Sequence, residues 1–211
     1  MLTLYYSPGA CSMASHIGIE ETGAAYLEKP TFLAKGEQKT EEYRKINPRG
    51  KVPALSVDGR IITENTAILS YLARQFPQAN LLPADLVEQA QCIATMTWFS
   101  TIVHPSYQHY TRPERFADGE AAQAAVKEMG HKSHWAVLQE INSLLEGKDW
   151  MMGNQYTVVD PYALVFYSWG VRGGFPMKEL AAYTAWKERM LGRPAVMKIL
   201  QSEKNVLLNA T

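Results

Sequence analysis

Four short stretches of the chain carry residue types that can do chemistry. The first is Cys11, two residues past the breaker Pro8-Gly9. A cysteine entering a helix just after a first strand meets unpaired backbone N–H groups and the positive end of the helix dipole. Both favour the thiolate, which is the nucleophile. Cys11-Ser12-Met13-Ala14 keeps only the first cysteine of a C-x-x-C pair, which argues against a dithiol cycle within this motif. The second is Val52-Pro53, at the start of an apolar run. A cis bond there turns the N–H and C=O of residue 52 outward, where an extended peptide can pair with them by strand addition. The third is Glu64-Asn65-Thr66, opening a helix directly after a strand. Its free N–H groups suit a carboxylate, Asn65 adds a side-chain donor, and Glu64 can accept from an ammonium group. The fourth is His104, which with Pro105 marks a break near a helix end. An imidazole there can hydrogen-bond a thiol or steady a thiolate. Taken singly, each has a plain structural alternative: a small buried thiol, an edge-strand proline, a helix cap, a capping histidine.

The remaining reactive side chains carry weaker signals. Cys92 lies inside a helical pattern and reads as core. His131 and His134 share a helix face at i, i+3, but no third ligand is in register, so a solvated face is expected there and no metal site. His16 and His109 carry no clear signal. Tyr5, Tyr6 and Trp169 are aromatics at element ends, with core packing as the default.

The elements that must position these residues fall into two halves. The chain has 211 residues, enough for one large domain or two small ones without disulfide or metal staples. Lys+Arg and Asp+Glu both number 21, so the formal net charge is zero, which argues against binding nucleic acid or a membrane surface by bulk charge. No apolar run is long enough for a transmembrane span, the first residues lack signal-peptide character, and two cysteines cannot build a disulfide framework. A cytoplasmic protein is expected. Residues 1–76 read β-α-β, loop, β-β-α, a thioredoxin-like α/β order. Leu2, Leu4 and Tyr6 alternate as a strand, and a helix covers roughly Cys11 to Glu21. A second strand fits Ala25 to Leu27, resuming at Thr31-Phe32-Leu33, and a short helix covers Glu41 to Ile46. Asp58-Gly59 between two apolar runs signals a hairpin, and Thr63 reads as the N-cap of the next helix. Residues 77–84, with prolines at both ends, read as a linker. Residues 85–211 read as all-helical. There Val87, Ala90, Ala94 and Trp98 form one stripe, and Trp135, Leu138, Ile141 and Leu145 form another. Thr157-Val158-Val159-Asp160 reads as a capping box ahead of an apolar helix.

Together these stretches resemble the glutathione transferase family, and in particular its bacterial beta-type branch. Tyr5-Tyr6-Ser7-Pro8-Gly9-Ala10-Cys11-Ser12 is similar to the beta-type opening strand, loop and cysteine. Ile46 to Leu55 resembles the family's loop and cis-proline signature. Thr63 to Leu69 resembles the motif that holds the γ-glutamyl end of glutathione, and Thr157 to Leu164 the capping box of the buried helix in the second domain. The resemblance implies a thioredoxin-like N-terminal domain, an all-α C-terminal domain, a homodimer, and glutathione as co-substrate. It implies that Val52 and Pro53 present backbone to the cysteinyl residue, Glu64 binds the ammonium, Asn65 binds the γ-glutamyl carboxylate, and Lys35 serves the glycyl end. Cys11, Ser12, His104 and Tyr6 are then the candidate donors to the sulfur. A small apolar electrophile is expected against Trp169 and the helix around Trp98, in a detoxifying conjugation. Two alternatives stay open: a glutathione-dependent thiol–disulfide exchanger using Cys11, and a non-catalytic binding relative.

Overall fold

A computed structural model describes residues 1–209. Strand β1 (Leu2–Tyr6), helix α1 (Met13–Glu21) and strand β2 (Tyr26–Pro30) make a parallel βαβ unit. Helix α2 (Glu41–Ile46) leads to the hairpin of β3 (Ala54–Val57) and β4 (Arg60–Thr63), and then to helix α3 (Asn65–Gln75). The sheet order is β2-β1-β3-β4, with β1 antiparallel to β3. Asp58 and Gly59 both take positive φ, 48° and 84°, as a tight hairpin turn requires. The alternation in β1 sends Leu2, Leu4 and Tyr6 into a core with Ile19, Leu55, Val57, Ile68 and Leu72. Tyr5 faces the other way, edge-on to Tyr43 of α2.

Three boundaries differ from the sequence expectation. Helix α1 starts at Met13, so Cys11 and Ser12 lie in the turn before it. The second strand is one piece, and Leu33–Lys35 is a 3-10 turn rather than a resumed strand. Thr63 closes β4, and the residue that caps α3 is Glu64, with φ 70°.

The second half is helical: α4 (Leu86–Trp98), α5 (His104–Thr111), α6 (Glu120–Leu145), α7 (Val159–Arg172), α8 (Ala181–Leu191) and α9 (Pro194–Ser202). Helix α4 does not break at Pro105. A π-helical stretch, Phe99–Val103, carries it into α5, and this wider turn accommodates Pro105, which has no N–H to donate. Most of the α4 stripe read from the sequence faces outward, with Trp98 alone of the four packed against the core. Val87, Ala90 and Ala94 are exposed, while Cys92, Met96 and Phe99 are buried. Helix α7 is the centre, with Val159 to Gly170 all buried. Its first turn is held by Asp160, which accepts from Met151 N at 2.9 Å, Thr157 N at 2.8 Å and the Trp186 indole at 3.0 Å.

Helix α1 joins the halves. Met13 to Ile19 are all buried, as befits a helix covered on every side by the sheet, α3, α7 and α9. Polar ties also cross the boundary. Arg193 grips Glu21 with two bonds of 2.7 and 2.8 Å. The Glu203 carboxylate, wholly buried, takes His16 Nδ1 at 2.9 Å and Gly9 N at 2.9 Å. Among the described residues, no helix is long and apolar enough to cross a membrane.

Candidate active site

Cys11 lies where the two halves meet. Its Sγ donates to the Val52 carbonyl at 3.6 Å, and the Val52-Pro53 bond is cis. Asn65, first residue of α3, is buried and turned inward. Its Nδ2 donates to the Cys11 carbonyl at 3.0 Å, and its Oδ1 accepts from Ser15 Oγ at 2.7 Å. The side chain expected to meet a ligand carboxylate therefore fastens the cysteine turn to α1. The first backbone N–H groups of α3 receive no side-chain cap, from Glu64 or any other described residue. Glu64 itself is exposed.

The Cys11 thiol is held in its protonated form, against the thiolate expected at a helix N-terminus. Burial pushes the Cys11 thiol up to about 12, and the Glu64 carboxylate adds to the rise. Burial between the two halves is the main cause and outweighs Asn65 and Lys51, which favour the thiolate; with α1 starting only at Met13, the thiol proton rests on the Val52 carbonyl.

Two of the proposed sulfur donors are engaged elsewhere. Ser12 is fully buried. Its hydroxyl donates to the Ser7 carbonyl at 3.1 Å and accepts from Ser7 N at 3.0 Å, closing the turn that carries Gly9 and Cys11. Tyr6 sits on the α1 side of the sheet, its hydroxyl on Glu28 at 3.1 Å and its ring 4.3 Å from His16. Burial, helped by Glu28, raises its pKa to about 12. It belongs to the core of the first domain.

His104 is half-buried and reaches the second wall. Its ring is edge-on to Trp169 at 4.9 Å, and burial, with the positive Lys51 and Arg115, lowers its pKa to about 4. It is therefore a neutral imidazole at pH 7. The Gln108 side-chain nitrogen lies 2.7 Å from His104 Nε2, so that nitrogen accepts and Nδ1 carries the proton. Trp169 is itself only 4% exposed, stacked on Tyr107 at 4.7 Å. Its indole N–H holds the Gly9 carbonyl at 3.1 Å, so it supports the cysteine loop from beneath rather than walling a pocket. Gly9 has φ +70°, and a Cβ there would stand 3.1 Å from Arg172 Nη1, so glycine fits both the turn and the approach. Lys35 is exposed, 4.7 Å above the Phe32 ring, on the 3-10 turn after β2.

Some residues of the site left no readable mark in the sequence. Glu203 and Gly9 are 194 positions apart, and no local pattern links them. Arg172 follows Trp169 by one helical turn, a spacing that puts both beside the same loop, and its Nη1 also holds the Gly9 carbonyl, at 3.0 Å. His134, read as solvated, is fully buried with Nδ1 on Ser106 Oγ at 2.9 Å.

Comparison with known proteins fits this geometry. The family profile described as Glutathione S-transferase, N-terminal domain, matches residues 1–74. Glutathione S-transferase GstA of Escherichia coli O157:H7 is 31% identical over 96% of this chain and 98% of its own length. The chain belongs to the glutathione S-transferase family. Among solved structures, a glutathione transferase homologue from Sulfitobacter with bound glutathione superposes with a TM-score of 0.90 at 30% identity, covering 96% of this chain and 98% of that one. The bacterial beta class glutathione S-transferase of Sphingomonas chungbukensis gives 0.84 at 32% identity, covering 95% and 98%. In this glutathione S-transferase, then, the thioredoxin-like half brings Cys11, Val52, Glu64 and the start of α3 together, and the helical half adds His104 and the Trp169–Arg172 turn. Ser12, Asn65 and Tyr6 stand one layer further in.

Proposed function

We propose that this chain is a glutathione transferase that lays glutathione, extended, across Val52 and the start of α3, and adds its sulfur to a small electrophile beside α5 and α7. One observation supports this reading above the others: the Cys11 thiol rests on the Val52 carbonyl, next to an open helix N-terminus and an exposed Glu64. That is a backbone acceptor, an anion site and a carboxylate within one crevice. They match the peptide N–H, γ-glutamyl carboxylate and ammonium of glutathione. Lys35 is placed to take the glycyl carboxylate from the exposed side.

Binding changes the electrostatics of the crevice in the direction catalysis needs. The ammonium of glutathione neutralises Glu64, and its cysteinyl N–H competes for the Val52 carbonyl. Both changes remove reasons for sulfur near this point to keep a proton. The neutral His104 then offers its Nδ1 proton as a hydrogen bond to the thiolate, without holding a positive charge in a half-buried place. The thiol proton leaves to solvent. The thiolate forms the new C–S bond, and in a substitution the leaving group departs with its bond pair.

The outward apolar stripe on α4, with Leu86 at 77% and Val87 at 65% exposure, supports a homodimer in which this face is covered. Sedimentation equilibrium checks that part directly. For the activity, purified protein is tested for retention on immobilised glutathione and for conjugation of 1-chloro-2,4-dinitrobenzene, with Cys11→Ala alongside. Retention, with conjugation that survives Cys11→Ala, is the expected outcome. Passage through the column without delay would overturn the reading in favour of a non-binding relative. Loss of conjugation together with disulfide exchange in Cys11→Ala would make the cysteine the working nucleophile.

A further inference from the structure

Beside the cysteine loop, a cleft of about 310 Å³ opens between the end of α5, α6 and the end of α7. Its apolar surface is aromatic, from Tyr107 and Tyr110, and its charged groups are Arg172 and Lys127. None of its lining residues is acidic. Arg172 is fixed rather than free. Its Nε donates to the Tyr107 hydroxyl at 3.3 Å and its Nη1 to the Gly9 carbonyl at 3.0 Å. Its guanidinium lies 5.9 Å from the ring centres of both Tyr107 and Trp169. Lys127 stands 6.0 Å from the Tyr110 ring. Among the described residues, no carboxylate pairs with either cation.

A held guanidinium without a counter-ion, its Nη2 given no acceptor by the bonds that fix Nε and Nη1, can receive a carboxylate. The half-buried Tyr110 supplies an aromatic contact for a ring, while Tyr107, stacked on Trp169, lines the cleft beneath Arg172. The loop that Arg172 grips at Gly9 is the loop that carries Cys11, so a ring in this cleft stands next to the crevice assigned above to the glutathione sulfur. We infer that the electrophiles this protein prefers are aromatic acids: a flat ring against Tyr110 with its carboxylate on Arg172, and Lys127 as the outer cation. This rests on the transferase reading and narrows its substrate class from small electrophiles in general to anionic aromatic ones.

The test uses two chloronitroarenes of matched size, 4-chloro-3-nitrobenzoate and its neutral amide, 4-chloro-3-nitrobenzamide. The two match in size but not in activation, the amide being the more reactive, and that difference cancels when the acid-to-amide ratio of a variant is divided by that of wild type. With either, the glutathione thiolate forms a C–S bond at the chlorinated carbon, and chloride leaves with the C–Cl bond pair. The readout is the ratio of kcat/KM for acid over amide, because Arg172 also steadies the loop and its loss can slow both. The expected result is a fall in this ratio of about tenfold or more in Arg172→Gln, the scale of one lost charge-assisted bond. A smaller fall is expected in Lys127→Gln, which touches no part of the loop. An unchanged ratio in both variants overturns the inference, even if overall rates drop. If neither arene is turned over at all, the transferase reading fails first, and calorimetric binding of 3-nitrobenzoate then decides the cleft separately. Binding by wild type that weakens in Arg172→Gln supports it, and equal or absent binding overturns it.

Discussion

Two helix starts in this molecule look alike in sequence and do opposite things. Thr157-Val158-Val159-Asp160 opens α7, and Thr63-Glu64-Asn65-Thr66 opens α3. At α7 the acid is turned inward and saturated, with Asp160 taking two backbone N–H groups and the Trp186 indole. At α3 the acid is turned outward and the cap is open, with Glu64 exposed and no side chain closing the first turn. The difference is burial. An N-terminus sunk between α6 and α8 must satisfy its own donors. One at a domain edge can leave them for a ligand. The polar residue beside each acid shows the same division one step further in, since Asn65 is buried and serves the fold although it sits at the open end.

The largest expected effect lies at the closed start. Asp160→Ala leaves several buried donors without an acceptor and is expected to lower stability by about 3 kcal/mol or more, read from urea unfolding. A pH signature accompanies it. Burial lifts Asp160 to about 6 from an ordinary 3.8, against hydrogen bonds that pull it down. Because the folded state holds this proton more tightly than the unfolded one, the contribution is full at low pH and is lost as pH rises through 6. That slope should vanish in the alanine variant. If Asp160→Ala unfolds at the wild-type urea midpoint, the contrast between the two starts is wrong.

Asn65→Ala comes next. It frees the Cys11 carbonyl and the Ser15 hydroxyl inside the protein and is expected to cost about 2 kcal/mol of stability. Glutathione affinity, measured by calorimetry on the folded fraction, should change much less, because the backbone at α3 and not this side chain is assigned to the carboxylate. A large affinity loss at wild-type stability would return Asn65 to the ligand-binding role that its position in the sequence suggested. Glu64→Gln should show the mirror image: stability within about 0.5 kcal/mol, as for an exposed residue, and glutathione affinity reduced about tenfold.

That mirror also measures what sequence could convey. The strand alternation of β1 and the Asp58-Gly59 hairpin were legible because each is a local rule, a period of two and a pair of positive φ angles. The inner face of α4 was not. Leu86, Val87, Ala90 and Ala94 are as apolar as Cys92 and Met96, and only the neighbouring helices decide which stripe is covered. Pro105 suggested a break because the π-helical turn that absorbs it has no sequence signature. Cys11, Val52, Glu64 and His104 were found as residue types, but which hydroxyl or amide was free to serve the sulfur was not. Ser12 answers to Ser7, Tyr6 to Glu28 and Asn65 to Ser15, partners that a linear reading does not place.

The smallest effect is the sharpest about mechanism. If the exposed Glu64 helps hold the proton on Cys11, removing its charge lowers the thiol pKa, and more thiolate is present at any given pH. Glu64→Gln should then be alkylated by iodoacetamide faster than wild type at pH 8, by a few-fold, since one exposed charge acts through water and is largely screened. Raising the salt concentration should speed the wild type toward the variant and leave the variant nearly unchanged, because only the wild type has a charge to screen. Equal rates at low salt would mean that burial and the Val52 carbonyl hold the proton alone. The open start of α3 would then act on bound glutathione without reaching the cysteine beside it.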